Sequence, residues 1–140
     1  MLNAEAVRHQ LSSEEESVVM RIVNCADRVA RDWATTPTDQ PVAADRSAVV
    51  PPMETALERA DVLGELPTTL AACVTAAGGT LDATPVAAPP YVAITSIGPV
   101  LRATIGEERL VIRFAVFDVQ EGRYVRQGTE LDEIVEVDVI

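Results

Sequence analysis

Residues 109–118 read RLVIRFAVFD and alternate between two kinds of side chain. Successive side chains of an extended strand point to opposite sides of a sheet, so the even-numbered residues share one side. That side is entirely apolar and consists of Leu110, Ile112, Phe114 and Val116. The other side carries Arg109, Val111, Arg113, Ala115 and Phe117. The pattern predicts a strand whose even-numbered side covers a hydrophobic core and whose arginines face away from it.

Four more segments of the last third are rich in Val and Ile and alternate in the same way. They are residues 91–97, 100–105, 123–127 and 134–140. Turn-forming pairs separate the segments at hairpin spacing: Gly98-Pro99, Gly106-Glu107 and Glu121-Gly122. Within 100–105, the inward side holds Leu101, Ala103 and Ile105, which leaves Arg102 facing outward. We therefore expect an antiparallel sheet of four to five strands across residues 91–140.

The first third of the chain has a helical repeat. Apolar residues recur at three-, four- and seven-residue steps: Ala4, Val7, Leu11, Val18, Ile22, Cys25, Val29 and Trp33. The run Ser13-Glu14-Glu15-Glu16 interrupts them and matches a capping box, in which a hydroxyl caps a new helix. The segment is either one long helix or a short helix to Leu11 followed by a second from Ser13 to Ala34. We favour the break.

Proline and glycine divide the region up to residue 90. Residues 35–52 contain four prolines and are expected to form a loop. One helix is predicted from Pro52 to about Leu63 and another from Pro67 to Gly78-Gly79. Residues 81–90 form an extended connector with three prolines. The whole chain, 1–140, is predicted to be one α+β domain, in which helices of residues 1–80 pack on one face of the sheet.

The charge composition is strongly acidic. Asp and Glu number 22 against 11 basic residues, the net charge is −11, and all the basic residues are Arg. Carboxylates hold water in competition with salt, and the absence of Lys removes exposed aliphatic stems. The composition therefore favours a salt-rich cytoplasm. The alternative is an ordinary acidic protein whose GC-rich genome encodes Arg in place of Lys. Residues 1–10 lack the basic and apolar regions of a signal peptide, which also favours the cytoplasm.

Few residues suit catalysis or metal binding. His9 is the single histidine, which argues against a multi-histidine metal site. Cys25 and Cys73 lie far apart on apolar helix sides and are expected to be buried, reduced thiols. The acidic runs match no calcium loop. We therefore predict no catalytic residue, no metal ligand, no cofactor-binding residue and no cofactor, and the chain is expected not to be an enzyme.

The arginines are unevenly distributed. Residues 91–126 carry a net charge of +1, against −7 for residues 1–90 and −5 for residues 127–140. The candidate residues for binding an anion or an acidic partner are Arg102, Arg109, Arg113 and Arg123. Arg102 and Arg113 are predicted to share the sheet face away from the helices. They are either a platform for a partner or members of cross-strand ion pairs with Glu136 and Asp138.

The apolar side of the predicted N-terminal helix, which we call the helical stripe, also suggests contacts with a second subunit. A helix from residue 13 to residue 34 would be about 33 Å long, about the width of the domain. Its candidate dimer contacts are Val18, Ile22, Val29 and Trp33. The alternative is a tight helix pair within the chain, formed with residues 53–77.

Three segments resemble small uncharacterised proteins of haloarchaea: residues 86–93 (VAAPPYVA), 98–104 (GPVLRAT) and 110–113 (LVIR). The resemblance covers residues 50–126. It implies a single domain adapted to salt, and it assigns no activity and no functional residue.

Two functional hypotheses follow from these observations. The first is a non-catalytic protein-interaction module that self-associates. The second is a binder of an anionic ligand or nucleic acid through the arginine-bearing sheet face. Nucleic acid ranks below a protein partner, and no membrane association is expected.

The acidic composition generates a first prediction. Lowering the salt concentration from 2 M to 0.1 M potassium chloride lengthens the Debye length from below about 3 Å to about 10 Å, so the negative charges repel over a larger distance. We expect the thermal midpoint, measured by circular dichroism, to fall steadily during this change. A midpoint that stays constant or rises at low salt would contradict the prediction.

Overall fold

The computed structural model describes all residues from 1 to 140. The helices are α1 Ala4–Ser13, α2 Glu16–Ala30, α3 Val50–Arg59, α4 Leu66–Ala76 and the short α5 Leu131–Ile134. The strands are β1 Ala34–Thr35, β2 Pro41–Ala43, β3 Val92–Thr95, β4 Gly98–Ile105, β5 Glu108–Phe114, β6 Phe117–Gln120, β7 Arg123–Arg126 and β8 Val135–Val139. Helices dominate the first half and strands the second, which confirms the α+β class. No helix is long and apolar enough to traverse a bilayer.

The strands form two antiparallel sheets. The main sheet has the order β3-β4-β5-β8, and the small sheet has the order β1-β2-β7-β6. The predicted strand 109–118 therefore divides between them, with β5 in the main sheet and β6 in the small one. At the division, the Ala115 amide donates to the Ile134 carbonyl at 2.7 Å and the Val116 amide donates to the Phe114 carbonyl at 2.9 Å. These bonds turn the chain away from β5 before β6 begins.

The predicted parity of β4 and β5 is confirmed. Leu101 pairs with Ile112 across the two strands, and both side chains are fully buried, as are those of Leu110 and Phe114. Helices α1, α3 and α4 pack against this side of the main sheet, where one continuous hydrophobic cluster joins helices and strands. Arg102 pairs with Val111 on the opposite side. The apolar periodicity thus places the arginines of these strands away from the helices.

Gly98 allows β4 to begin close to the end of β5. Its φ is +134°, a conformation that side-chain-bearing residues rarely adopt. A Cβ at this position would lie 2.2 Å from the Phe114 carbonyl oxygen, which is backbone and cannot move aside. Glycine is therefore required here by both the conformation and the space.

The predicted break in the N-terminal helix is confirmed, although its chemistry differs from the expectation. The Ser13 hydroxyl donates to the His9 carbonyl at 2.7 Å and so belongs to the end of α1. Glu15 precedes α2 without a side-chain capping bond. The prediction that Ser13 caps the second helix is wrong, because its hydroxyl is used by the preceding turn.

Helix α2 packs against α3, and the order of the contacts shows that the pair is antiparallel. The Cys25 thiol lies 3.6 Å from the Ala56 carbonyl oxygen, and Arg21 donates to the Ala60 carbonyl. Arg21 also pairs with Glu65 at 2.9 Å. With 15 residues, α2 is about 22 Å long, shorter than the predicted 13–34 helix. The helix pair within the chain, which was the alternative given for the helical stripe, is therefore present and is formed by α2 and α3.

Helices α3 and α4 are each followed by a residue in the left-handed backbone conformation. Helix α3 ends at Arg59, and Asp61 has a φ of 58°, so the chain turns before Leu63, where the helix was predicted to end. Helix α4 is followed by Gly78 with a φ of 88°, as the Gly78-Gly79 pair predicts. The predicted loop 35–52 contains β1 and β2, which extend the small sheet.

Arg126 connects α2 to the small sheet and to the loop that precedes α5. Its side chain is 5% exposed, and its Nε donates to the Asp27 Oδ1 at 3.0 Å. Its Nη1 donates to the carbonyl oxygens of Val116 at 3.0 Å and Gly128 at 2.7 Å, and also to that of Gln127. Burial lowers the pKa of Arg126, and the neighbouring Asp27 opposes this effect. One arginine thus ties three segments that are distant in sequence.

This connection generates a second prediction. Arg126→Met retains the length of the side chain but removes the donors to the buried carbonyl groups. We expect it to reduce the free energy of unfolding by about 1–3 kcal/mol, measured by urea denaturation in high salt. Asp27→Asn is the comparison: it removes the charge of a 56% exposed side chain but keeps an amide oxygen that can accept from Nε and leaves the carbonyl acceptors of Nη1 in place, so we expect a smaller loss. A larger loss for Asp27→Asn than for Arg126→Met would contradict this interpretation.

Candidate binding surfaces

The main sheet has one face without helices, which we call the open face. Cross-strand pairing places its residues in rows. One row is Arg102, Val111 and Asp138, the next is Val100, Arg113 and Glu136, and a third pairs Thr104 with Arg109. The predicted placement of Arg102 and Arg113 on one face of adjacent strands is therefore observed, and Arg109 joins them.

The three arginines of the open face are in different environments. Arg113 Nη1 lies 2.5 Å from the Asp138 Oδ2, so this arginine forms the cross-strand ion pair considered above. Arg102 and Arg109 are exposed, and neither has a carboxylate within 4.0 Å. The open face therefore holds one neutralised arginine and two exposed ones without a carboxylate within 4.0 Å, although Asp82 lines the small cavity beside Arg102.

Val111 lies between these charges but is only 3% exposed. It is outside the hydrophobic cluster on the helical side of the sheet. Its neighbours in the strand pairing are Arg102 and Asp138, and Arg109 and Arg113 flank it along β5. Arginine stems cover apolar surface while their charged ends stay in water. The position of Val111 therefore indicates that these stems lie along the face.

Arg123 does not belong to this set. It lies in β7 opposite Gln120, in the small sheet, and it is exposed. The sequence grouped it with Arg102 because both lie within residues 91–126, which carry a net positive charge. The separation of the two sheets places it elsewhere on the molecule.

The four residues proposed as dimer contacts differ in accessibility. Ile22 is fully buried and Val18 is 8% exposed, so the chain itself covers both. Val29 and Trp33 are partly buried against the core. The Trp33 ring packs on Phe117 with centroids 5.4 Å apart and planes inclined by 33°. Only these last two positions remain reachable by a second copy.

A groove between α2 and α3, which we call the α2–α3 groove, has a volume of about 520 Å³. Two arginines line it, Arg28 from α2 and Arg59 from α3. Hydroxyl and apolar side chains complete it: Ser47, Thr55, Val29, Ala56, Pro51 and Pro52. Sequence analysis did not single out this site, because the two arginines are distant in sequence and no motif joins them. The only local signal was the Thr55–Arg59 spacing, which puts both on one side of a helix.

The two cysteines are buried and do not form a disulfide. Burial raises the pKa of the Cys73 thiol to about 12, with a smaller contribution from Glu15. Burial also raises the pKa of Cys25, against the influence of Arg28 and Arg21. At neutral pH both therefore remain protonated thiols, and neither is a nucleophile in this fold. The structure contains no group of three or more His, Cys, Asp or Glu side chains placed to hold a metal ion.

Comparison with known proteins gives one match. The family model described as "Domain of unknown function (DUF7988)" matches residues 5–140. No curated protein and no solved structure matches the chain.

The environment of Cys73 generates a third prediction. The unfolded chain loses this thiol proton near pH 9, whereas the folded chain keeps it to about pH 12. The protonated Cys73 thiol therefore contributes its full stabilisation below pH 9. As the pH rises above 9, the free energy of unfolding falls by up to about 1.4 kcal/mol per pH unit. Urea denaturation at pH 8, 9 and 10 should show a steeper decline for the natural chain than for Cys73→Ala. If the free energy of unfolding declines with pH equally in both proteins, the raised pKa of Cys73 is contradicted. The cavity left by Cys73→Ala lowers the free energy of unfolding equally at every pH, so it does not change the slope.

Proposed function

We propose that this chain, which belongs to the DUF7988 family, is a non-catalytic protein-interaction module that binds an acidic segment of a partner protein on the open face. The observation that carries the proposal is the pair Arg102 and Arg109. Both are exposed on neighbouring strands, and neither has a carboxylate partner although acidic residues outnumber basic ones two to one.

The spacing of the arginines suits an extended acidic segment. Arg102 pairs with Val111, so Arg109 and Arg113 are its two diagonal neighbours on β5. Such diagonal positions are about 7 Å apart in an antiparallel sheet. Alternate residues of an extended chain are separated by about 6.6 Å. A partner with acidic residues at every second position can therefore place successive carboxylates on Arg102 and Arg109, each held by the two-pronged guanidinium group.

The shape of the open face favours a protein segment over a small ligand. Its cavity beside Tyr91, Arg102 and Thr104 has a volume of about 200 Å³. Pockets for drug-sized ligands usually measure about 300–1,000 Å³. Four strands and the seven residues of β5 give the face an area of about 400 Å². This is half of the roughly 800 Å² that each partner buries in a standard complex, so it suits a short segment.

The charges argue against nucleic acid as the partner. The open face carries Glu136 and Asp138 beside its arginines, and the chain as a whole has a net charge of −11. Binding to phosphate backbones depends on many cationic contacts and weakens steeply as salt rises. Two free arginines on an acidic protein do not provide such a surface.

The proposal also includes the cellular environment in which the protein works. The absence of Lys, the excess of carboxylates and the resemblance to haloarchaeal proteins all support a salt-rich cytoplasm. Salt at 1 M shortens the Debye length to about 3 Å and screens attraction over longer distances, so the paired hydrogen bonds between a guanidinium group and a carboxylate hold the partner there. Self-association is part of the proposal as well, because Trp33 remains partly exposed for contact with a second copy.

The fourth prediction tests the open face. The probe is a fluorescent peptide of alternating Glu and Ser residues, titrated by anisotropy in 2 M potassium chloride. We expect Arg102→Gln with Arg109→Gln to weaken binding at least tenfold and to leave the thermal midpoint within one or two degrees. Glutamine keeps part of the aliphatic stem over Val111, and neither guanidinium group has a carboxylate within 4.0 Å in the fold. The matched control is Arg46→Gln with Arg123→Gln, which removes the same charge from exposed sites outside the face.

Three outcomes would contradict this proposal. They are peptide binding that survives the Arg102 and Arg109 changes, an equal loss in the control, and preferential binding of a single-stranded oligonucleotide. The second outcome would indicate a general charge effect, and the third would indicate a nucleic-acid interface.

A further inference from the structure

We infer that the α2–α3 groove is a separate binding site for a phosphate monoester that carries an apolar body. The site shares no residue with the open face, and it does not depend on the function proposed for that face. It stands on the geometry of Arg28 and Arg59, the lining of the groove and the distribution of charge around it.

The two arginines approach the middle of the groove from opposite ends. Cys25 contacts Ala56 and Arg21 contacts Ala60, so α2 and α3 run in opposite directions. Helical side chains lean toward the N-terminal end of their own helix. Arg28 therefore leans toward the level of Ala56, and Arg59 leans toward Thr55 on the preceding turn. From this geometry we expect both guanidinium groups to extend over the same part of the groove.

Neither of these arginines is neutralised by the fold. No carboxylate lies within 4.0 Å of either guanidinium group, and no acidic residue lines the groove. Arg21 of the same helix pair provides the contrast, because it binds both Glu65 and the Ala60 carbonyl. Two like charges directed into one cavity disfavour each other, and a bound anion removes this repulsion. The groove is therefore a cationic site on a strongly acidic molecule.

The chemistry of the lining selects the class of anion. A phosphate monoester carries a charge of about −1.5 to −2 at pH 7 and three strong acceptor oxygens. These oxygens can accept from two guanidinium forks at once, whereas one carboxylate is satisfied by a single arginine. The hydroxyl groups of Ser47 and Thr55 supply two more donors. The donors that line the groove therefore match a phosphate monoester better than a carboxylate.

The remaining volume is suited to an apolar group. Val29, Ala56, Pro51 and Pro52 supply apolar lining, and the two prolines have no backbone N–H donor. The volume of about 520 Å³ lies within the usual range of ligand sites and exceeds what a phosphate group alone requires. A ring or short aliphatic chain attached to the phosphate can cover these side chains. The predicted ligand thus has a dianionic head and an apolar body.

The fifth prediction uses phenyl phosphate as the probe and inorganic phosphate as the comparison. Both are titrated into the isotope-labelled full chain in 2 M potassium chloride and followed by amide chemical shifts. We expect shifts at Thr55 and Ala56, and affinity for phenyl phosphate at least fivefold higher than for inorganic phosphate. Arg28→Gln and Arg59→Gln should each reduce this affinity at least tenfold. Arg46→Gln is the matched control, because Arg46 is exposed beside Ser47 but does not line the groove.

A fourth variant, Thr55→Glu, introduces a carboxylate between the two arginines and should abolish binding while the fold is retained. The inference is overturned if no shifts appear at 10 mM phenyl phosphate, or if the shifts lie outside the groove. It is also overturned if inorganic phosphate binds equally well, because the apolar lining then plays no part. A tenfold loss in Arg46→Gln would overturn it too, since binding would then follow net charge alone.

Discussion

The two-residue periodicity of β4 and β5 is the constraint on which the main sheet depends. It places Leu101 and Ile112 against the helices and, by the same geometry, Arg102 on the open face. A shift of one residue would exchange the two sides, and each unpaired arginine moved into the core would cost several kcal/mol. The cost of such a shift fixes the register of the strands. The cationic open face is therefore a direct consequence of the way in which the core is built.

A second constraint acts where the chain leaves the main sheet. The small sheet has short strands, and it is attached to the rest of the molecule by a few specific contacts. Arg126 donates to the carbonyl oxygen of Val116, between β5 and β6, and to that of Gly128, after β7, and Trp33 packs on Phe117 at the start of β6. A buried guanidinium is suited to this task because its donors are fixed in one plane and reach several acceptors at once. Its Nη2 is buried and has no acceptor within the protein.

Structural features that depend on neighbouring residues could be predicted from the sequence. Features that depend on contacts between distant residues could not. The helical repeat and the alternation of residues 109–114 are local signals, so the helices and the sides of β4 and β5 were predicted. The division at Ala115 depends on the carbonyl of Ile134, and the pairing of β2 with β7 joins segments about 80 residues apart. No local pattern encodes such contacts. The α2–α3 groove was missed for the same reason, since Arg28 and Arg59 meet only when the helices pack.

The arrangement of the arginines distinguishes structural roles from binding roles. Arg8, Arg21, Arg113 and Arg126 lie within 4.0 Å of a carboxylate, and the other seven do not, although acidic residues are twice as numerous. In concentrated salt an exposed ion pair contributes little to stability, so pairing alone gives small benefit at the surface. Two pairs of the unneutralised arginines nevertheless lie together, Arg102 with Arg109 and Arg28 with Arg59. Stability within the chain does not account for this clustering, which is the basis of both binding proposals.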